Sequence, residues 1–151
     1  MKNSPLGYQV MGLSLFSWAA AQIAKGIIQR IVNGVFSLRQ FLESGGMPSS
    51  HSACVTCCAT CIGMLYGVDS GLFALSLLFA VIVMYDACHV RKSSGEQAQI
   101  VNALLRSYQK ENPNEILMAE LKVVMGHTLL QVFFGALMGL AIGLAGTALL
   151  N

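Results

Sequence analysis

Charge is what this sequence has least of. Only 11% of its 151 residues are charged, against about a quarter in a soluble domain, so it lacks the polar surface that a water-soluble globule needs. Hydrophobic residues make up 55% and the mean hydropathy is +0.64. The chain therefore reads as a membrane protein. Low charge and long apolar runs together exclude a disordered chain, a collagen-like repeat and a nucleic-acid-binding module. The length fits one integral membrane domain, residues 1–151.

A transmembrane helix needs about 17–25 mostly apolar residues. Three stretches qualify: Tyr8 to Ala24, Gly71 to Cys88 and Thr128 to Leu150. A fourth, Ala53 to Val68, is barely long enough and rich in Cys, Thr and Gly, as expected of a helix packed inside a bundle. Gly67-Val68-Asp69-Ser70-Gly71 then turns the second and third spans into an antiparallel hairpin. The expected fold is an all-α membrane bundle of four spans, or five if Gly26 to Leu42 also crosses.

In that stretch Ile27, Ile28, Ile31, Val32, Val35 and Phe36 fall on one helical face. Three structures fit it: an interfacial helix, a re-entrant segment or the tail of a long first helix. The favoured expectation is an element in the headgroup region. Glu96 to Lys122 reads as a helix interrupted by the turn signal Asn112-Pro113-Asn114. Residues 1–24 imitate a signal peptide, but Gln9, Ser14 and Ser17 inside the apolar stretch favour a span.

Eight of the nine Lys and Arg residues flank two loops: Lys25, Arg30 and Arg39 after the first span, and Arg91, Lys92, Arg106, Lys110 and Lys122 between the third and fourth. By the positive-inside rule both loops are cytoplasmic and both termini outside, in what is expected to be a bacterial cell membrane.

Cys54, Cys57, Cys58 and Cys61 form one helical stripe. Four thiolates on one straight helix do not converge on a tetrahedron, so they read as small packing residues. No metal, cofactor or disulfide framework is expected. Gly135, Gly139 and Gly143, followed by Thr147, make a close-approach face on which either another helix of the chain or a second copy can pack.

Hairpin bookkeeping brings three polar motifs to one membrane face. Gly45-Gly46-Met47-Pro48-Ser49-Ser50-His51 enters the second span, Tyr85-Asp86-Ala87-Cys88-His89-Val90-Arg91 leaves the third, and Gly126-His127 enters the fourth. These motifs contain all three histidines. A helix that starts after Pro48 offers free N–H groups to an anion such as phosphate. Arg39 and Arg91 can add bidentate donors, and two imidazoles can serve as nucleophile and general acid. The structural alternatives are a histidine acting as a helix cap and Asp86 simply pairing with Arg91.

Gly45 to Ala53, then Val83-Met84-Tyr85-Asp86-Ala87 with Val90-Arg91, Gly95, Gln97-Ala98 and Asn102, then Gly126-His127-Thr128, resemble the divergent branch of the type-2 phosphatidic acid phosphatase family. The likeness runs from about Gln22 to Gly143. That family is related to membrane lipid phosphate phosphatases and vanadium haloperoxidases, and its mainstream members carry Lys-x6-Arg-Pro, Pro-Ser-Gly-His and Ser-Arg-x5-His-x3-Asp motifs. The resemblance implies that Ser49 and Ser50 bind phosphate and that His51 protonates the leaving alkoxide. It makes His127 the nucleophile that becomes a phosphohistidine, and Lys25 or Arg39 with Arg91 the phosphate-binding cations. Gly46, Pro48, Asp86 and Gln131 would orient or support them.

The sequence also departs from that pattern. Lys25 and Arg39 are separated by roughly 21 Å of straight helix. Arg91 lies far upstream of His127, His89 stands where a small residue is expected, and Gln131 replaces the orienting acid. Glutamine can fix the imidazole tautomer but cannot stabilise an imidazolium by charge. Mainstream lipid phosphatases usually work at the outer face, whereas the charge count puts these motifs inside. The expected function is therefore metal-independent hydrolysis of a membrane lipid phosphate or pyrophosphate. The alternatives are a catalytically weakened relative that binds or transports an anionic lipid headgroup, and a membrane assembly module working through its glycine face.

Overall fold

The computed structural model describes residues 6–34, 46–112, 119–123 and 126–150. Five helices are described: α1 Leu6–Asn33, α2 Ser50–Tyr66, α3 Gly71–Cys88, α4 Val90–Glu111 and α5 Leu129–Leu150. Among the described residues, three stretches are long and apolar enough to cross a membrane. They are Gly7–Val32, Gly71–Glu111, whose apolar part is α3, and Leu129–Leu150. At 22 residues, α5 is about 33 Å long, enough for a hydrocarbon core of about 30 Å.

The 17-residue α2 lies at the centre, packed by α1, α3 and α5. It runs parallel to α5, since Gly135 lies against Ser49 and Gly143 against Thr60, and so traverses the same depth. Against α1 it is antiparallel: Ser17 Oγ donates to the Ala53 carbonyl at 3.1 Å, and Val10 packs on Cys57 and Cys61. The cysteine stripe is thus packing material. All five cysteines are free, and the Cys57 and Cys61 sulfurs are 4.0 Å apart. The hairpin to α3 turns at Gly67, whose φ of 89° suits glycine. Ser70 caps α3 by accepting the Phe73 N–H at 3.2 Å.

The glycine face holds α2 and α5 together. A Cβ on Gly139 would collide with the Ala53 carbonyl oxygen and come within 2.9 Å of the Cys57 nitrogen, so the two backbones touch where any side chain would part them. Gly135, Gly139, Gly143 and Thr147 are all buried. Within the protomer this face is occupied by α2.

Two expected boundaries move. Instead of a separate interfacial element, residues 26–33 continue α1 as one 28-residue helix. A single glycine at position 26 costs only about 1 kcal/mol of helix propensity, and the isoleucines that follow carry the helix on. The remainder of that stretch, residues 35–45 with Arg39 and Gly45, lies outside the described residues. The amphipathic helix begins at Val90 rather than Glu96 and ends, as expected, at Asn112. Only a bend at His89, with φ −114° and ψ −63°, separates it from α3.

Gly139→Ala should lower thermal stability in detergent by about 1–3 kcal/mol, read from circular dichroism melts. Gly12→Ala, where an added Cβ meets nothing within 4 Å, should leave it unchanged or raise it slightly.

Candidate active site

Four chain segments meet where the C-terminal part of α1 reaches the start of α2. Ser49, the N-cap of α2, is fully buried; its Oγ accepts the Ser52 N–H at 3.3 Å and the Ser52 hydroxyl at 2.9 Å. Because Ser50 opens the helix, the Ser50 and His51 N–H groups have no i−4 partner within it. Gly46, with φ 83°, packs on Lys25 and Gln29 of α1: a Cβ there would lie 3.0 Å from Gln29 Nε2 and 3.1 Å from Lys25 Cδ. Pro48 is buried beside the cap. Lys25 is only 3% exposed, and a buried lysine near a membrane face marks a functional position by default.

The Ser49 N–H donates to the Gln131 carbonyl oxygen at 2.9 Å, and the His127 N–H to the Ala87 carbonyl at 2.9 Å. These two bonds tie the start of α5 to the start of α2 and the end of α3. His51 and His127 face each other with ring centroids 6.5 Å apart, tilted by 57°. His51 Nδ1 is buried and makes no hydrogen bond within the described residues.

His127, 4% exposed, is held by the residue one turn later. Gln131 Oε1 lies 3.0 Å from His127 Nδ1 and also accepts the Thr128 N–H at 3.2 Å, while the Gln131 N–H points to Thr128 Oγ1 at 3.4 Å. Thr128 and Gln131 form a capping box. Accepting the Thr128 N–H fixes Oε1 as the oxygen, so His127 Nδ1 carries the proton and Nε2 the lone pair. Thr128-Leu129-Leu130-Gln131 carries this box openly in the sequence, where sequence reasoning passed over it.

Burial pushes the His127 pKa below its ordinary 6.5; the Gln131 hydrogen bond opposes this, and Lys25 and Arg91 lower it further. The imidazole is therefore neutral at pH 7. A cavity of about 540 Å³, lined by His127, Cys88, His89, Lys92, Ser93 and Glu96, opens beside it.

Asp86 and Arg91 pair at 2.8 Å between Oδ2 and Nε, both about 40% exposed. Five residues separate them on the chain, and the bend at His89 brings them together. Arg91 also acts on His127 from this position. His89 faces outward and stacks on Tyr85, with centroids 4.3 Å apart. Lys25, Gly46, Pro48, Ser49, Ser50, His51, Asp86, Arg91, His127 and Gln131 thus lie at one end of the bundle. Arg39 is not among the described residues.

Residues 6–142 match the Divergent PAP2 family. The chain is 40% identical to a Bacillus subtilis (strain 168) protein named uncharacterized membrane protein YuiD, over 87% of this chain and 89% of that one. No solved structure matches it significantly.

Gln131→Glu should keep the capping box and add a negative charge against Nδ1, raising the His127 pKa. Resonances of ¹⁵N-labelled histidine should show wild-type His127 titrating below 6.5 and the variant titrating higher. Folding favours the neutral ring, so wild-type His127 contributes stability above pH 6.5 that is lost as pH falls through 6.5 toward the folded value.

Proposed function

The chain belongs to the Divergent PAP2 family, an integral membrane family, and from that membership and the geometry above we propose that it hydrolyses a membrane lipid phosphate or pyrophosphate through a phosphohistidine. The observation that carries this reading is the histidine pair: a neutral His127 oriented through Nδ1, 6.5 Å from a His51 whose Nδ1 has no partner. Rings this close can both reach one phosphoryl group, one as nucleophile and the other as acid. An orphaned buried nitrogen marks a place for an outside group.

In this mechanism His127 Nε2 attacks phosphorus and the bond to the lipid oxygen breaks. His51, entering the step protonated, gives its proton to the departing oxygen. Water, deprotonated by His51, then attacks the phosphohistidine, releasing phosphate and restoring both rings. The Ser50 and His51 N–H groups, Lys25 and Arg91 would hold the phosphoryl oxygens. Ser49 serves through its cap, fixing the turn that aims those N–H groups. Two apolar cavities flank α2, about 450 Å³ against α1 and α3 and about 380 Å³ against α3 and α5. They run along α2 away from the histidines toward Tyr66 and Val68, where a lipid chain would lie. By its basic loops the site faces the cytoplasmic leaflet.

Gln131 favours a second reading, a protein that binds or moves an anionic headgroup without hydrolysis, because a neutral amide stabilises an imidazolium poorly.

Purified protein in detergent, with chelator present, should release phosphate from at least one of phosphatidate, a prenyl phosphate or a prenyl diphosphate. His127→Ala should cut turnover by about 10³-fold or more, and Lys25→Gln should raise KM by about tenfold, near 1.4 kcal/mol. Headgroup binding without turnover across the panel would establish the second reading, and Gln131→Glu remaining inactive would count against hydrolysis.

A further inference from the structure

His127 is not carried by a helix. It stands at the end of a connecting segment, and the segment's attachments lie along α4. The Glu120 carboxylate takes two bonds from Arg106, at 2.6 and 2.8 Å. Asn102 grips the next residue with both ends of its amide: Nδ2 donates to the Leu121 carbonyl at 2.8 Å, and Oδ1 accepts the Leu121 N–H at 2.8 Å. Further on, Gly126 lies against the backbone of Lys92, where a Cβ would come within 2.5 Å of its nitrogen, and the His127 N–H reaches Ala87. Gly126 is thus placed at Lys92 and Leu121 at Asn102, ten residues apart on α4.

We infer that Asn102 is a positioning residue for His127, its two-bond clamp on Leu121 setting where the connecting segment delivers the imidazole. Chain length supports this. The ten helical residues from Lys92 to Asn102 cover about 15 Å, while the five residues from Leu121 to Gly126 reach at most about 16–18 Å in any conformation. With so few residues between them, the attachment at Leu121 restricts where Gly126 and His127 can sit. The clamp is also placed for that purpose. Asn102 is only 6% exposed and both ends of its amide go to Leu121, so its removal would cost the segment two hydrogen bonds. The Arg106 pair is on the surface, with side chains 69% and 50% exposed, and contributes little.

The role in catalysis rests on the phosphatase reading, but the positioning of His127 does not, and one set of variants separates the two. The full chain in detergent is compared with Asn102→Ala, Asn102→Asp and Arg106→Gln. Phosphate release from phosphatidate and the ¹⁵N titration of His127 are both measured. Asn102→Ala should lower kcat by roughly tenfold or more with KM within about twofold, and should move the His127 titration up toward 6.5 as the ring loses its burial. Asn102→Asp keeps an acceptor for the Leu121 N–H and should fall between. Arg106→Gln should match wild type in both readouts.

Unchanged kcat and His127 titration in an Asn102 variant that merely melts at lower temperature would overturn the inference. So would failure of both Asn102 variants to fold, which would assign the clamp to folding. A wild-type protein without turnover on phosphatidate, a prenyl phosphate and a prenyl diphosphate alike would sink the phosphatase reading alone, and the titration would still decide the positioning.

Discussion

The close contact of α2 with α5 is the constraint on which the site depends. In a bilayer the apolar surfaces of two helices gain nothing by leaving lipid for each other, so close packing and hydrogen bonds must hold them. Gly135, Gly139 and Gly143 let the α5 backbone touch the α2 backbone near Ser49, Ala53 and Cys57. Sliding by one turn would move one helix about 5.4 Å past the other and set helix backbone against the side chains that flank the glycines. The seam therefore has one register. In that register the Ser49 N–H meets the Gln131 carbonyl, and the first turn of α2 lies beside the first turn of α5. The two histidines face each other because the glycines fix this register.

Gln131 then links folding to chemistry. Its side chain completes the Thr128 capping box and holds the His127 tautomer with the same oxygen. A glutamate would cap the helix equally well, so helix stability does not explain why an amide stands here. The explanation lies in the charge of the site. Burial, Lys25 and Arg91 keep His127 neutral, and the amide leaves that balance intact where a carboxylate would work against it. The result is a neutral imidazole held near two cations, a field that draws in an anionic group.

Much of this was legible in the sequence, because membrane topology leaves few choices. The spans followed from apolar length. A short hairpin loop then decided which motifs share a face, and the glycine spacing announced a close-packed seam. The parts that were not legible have specific causes. Nothing local marks whether a helix passes through Gly26 or stops there, so the eight residues joined to α1 depended on their packing. The Asp86 and Arg91 pair needed the bend at His89, which no proline or glycine signals. Asn102 and Leu121 are nineteen residues apart, a contact that periodicity cannot express. The capping box was readable and shows that a local motif is easily overlooked inside an apolar run.

The length of α1 brings Lys25 to the candidate site. With the helix unbroken to Asn33, Lys25 lies under the Gly46 turn, buried by residues that would otherwise leave it in lipid. Burying an ammonium among apolar helices is costly unless polar groups surround it. Here the Gln29 amide and the Gly46 turn lie beside it, and the imidazole of His127 is close enough to feel its charge. The apparent misfit of Lys25 and Arg39, too far apart on a straight helix to share one phosphate, then loses its force. Lys25 reaches the site from within α1, and Arg91 comes from the other side across the bend at His89. Two cations far apart in the chain, on separate helices, thus both act on His127. That is why the cation motif is hard to recognise in the chain and compact in space.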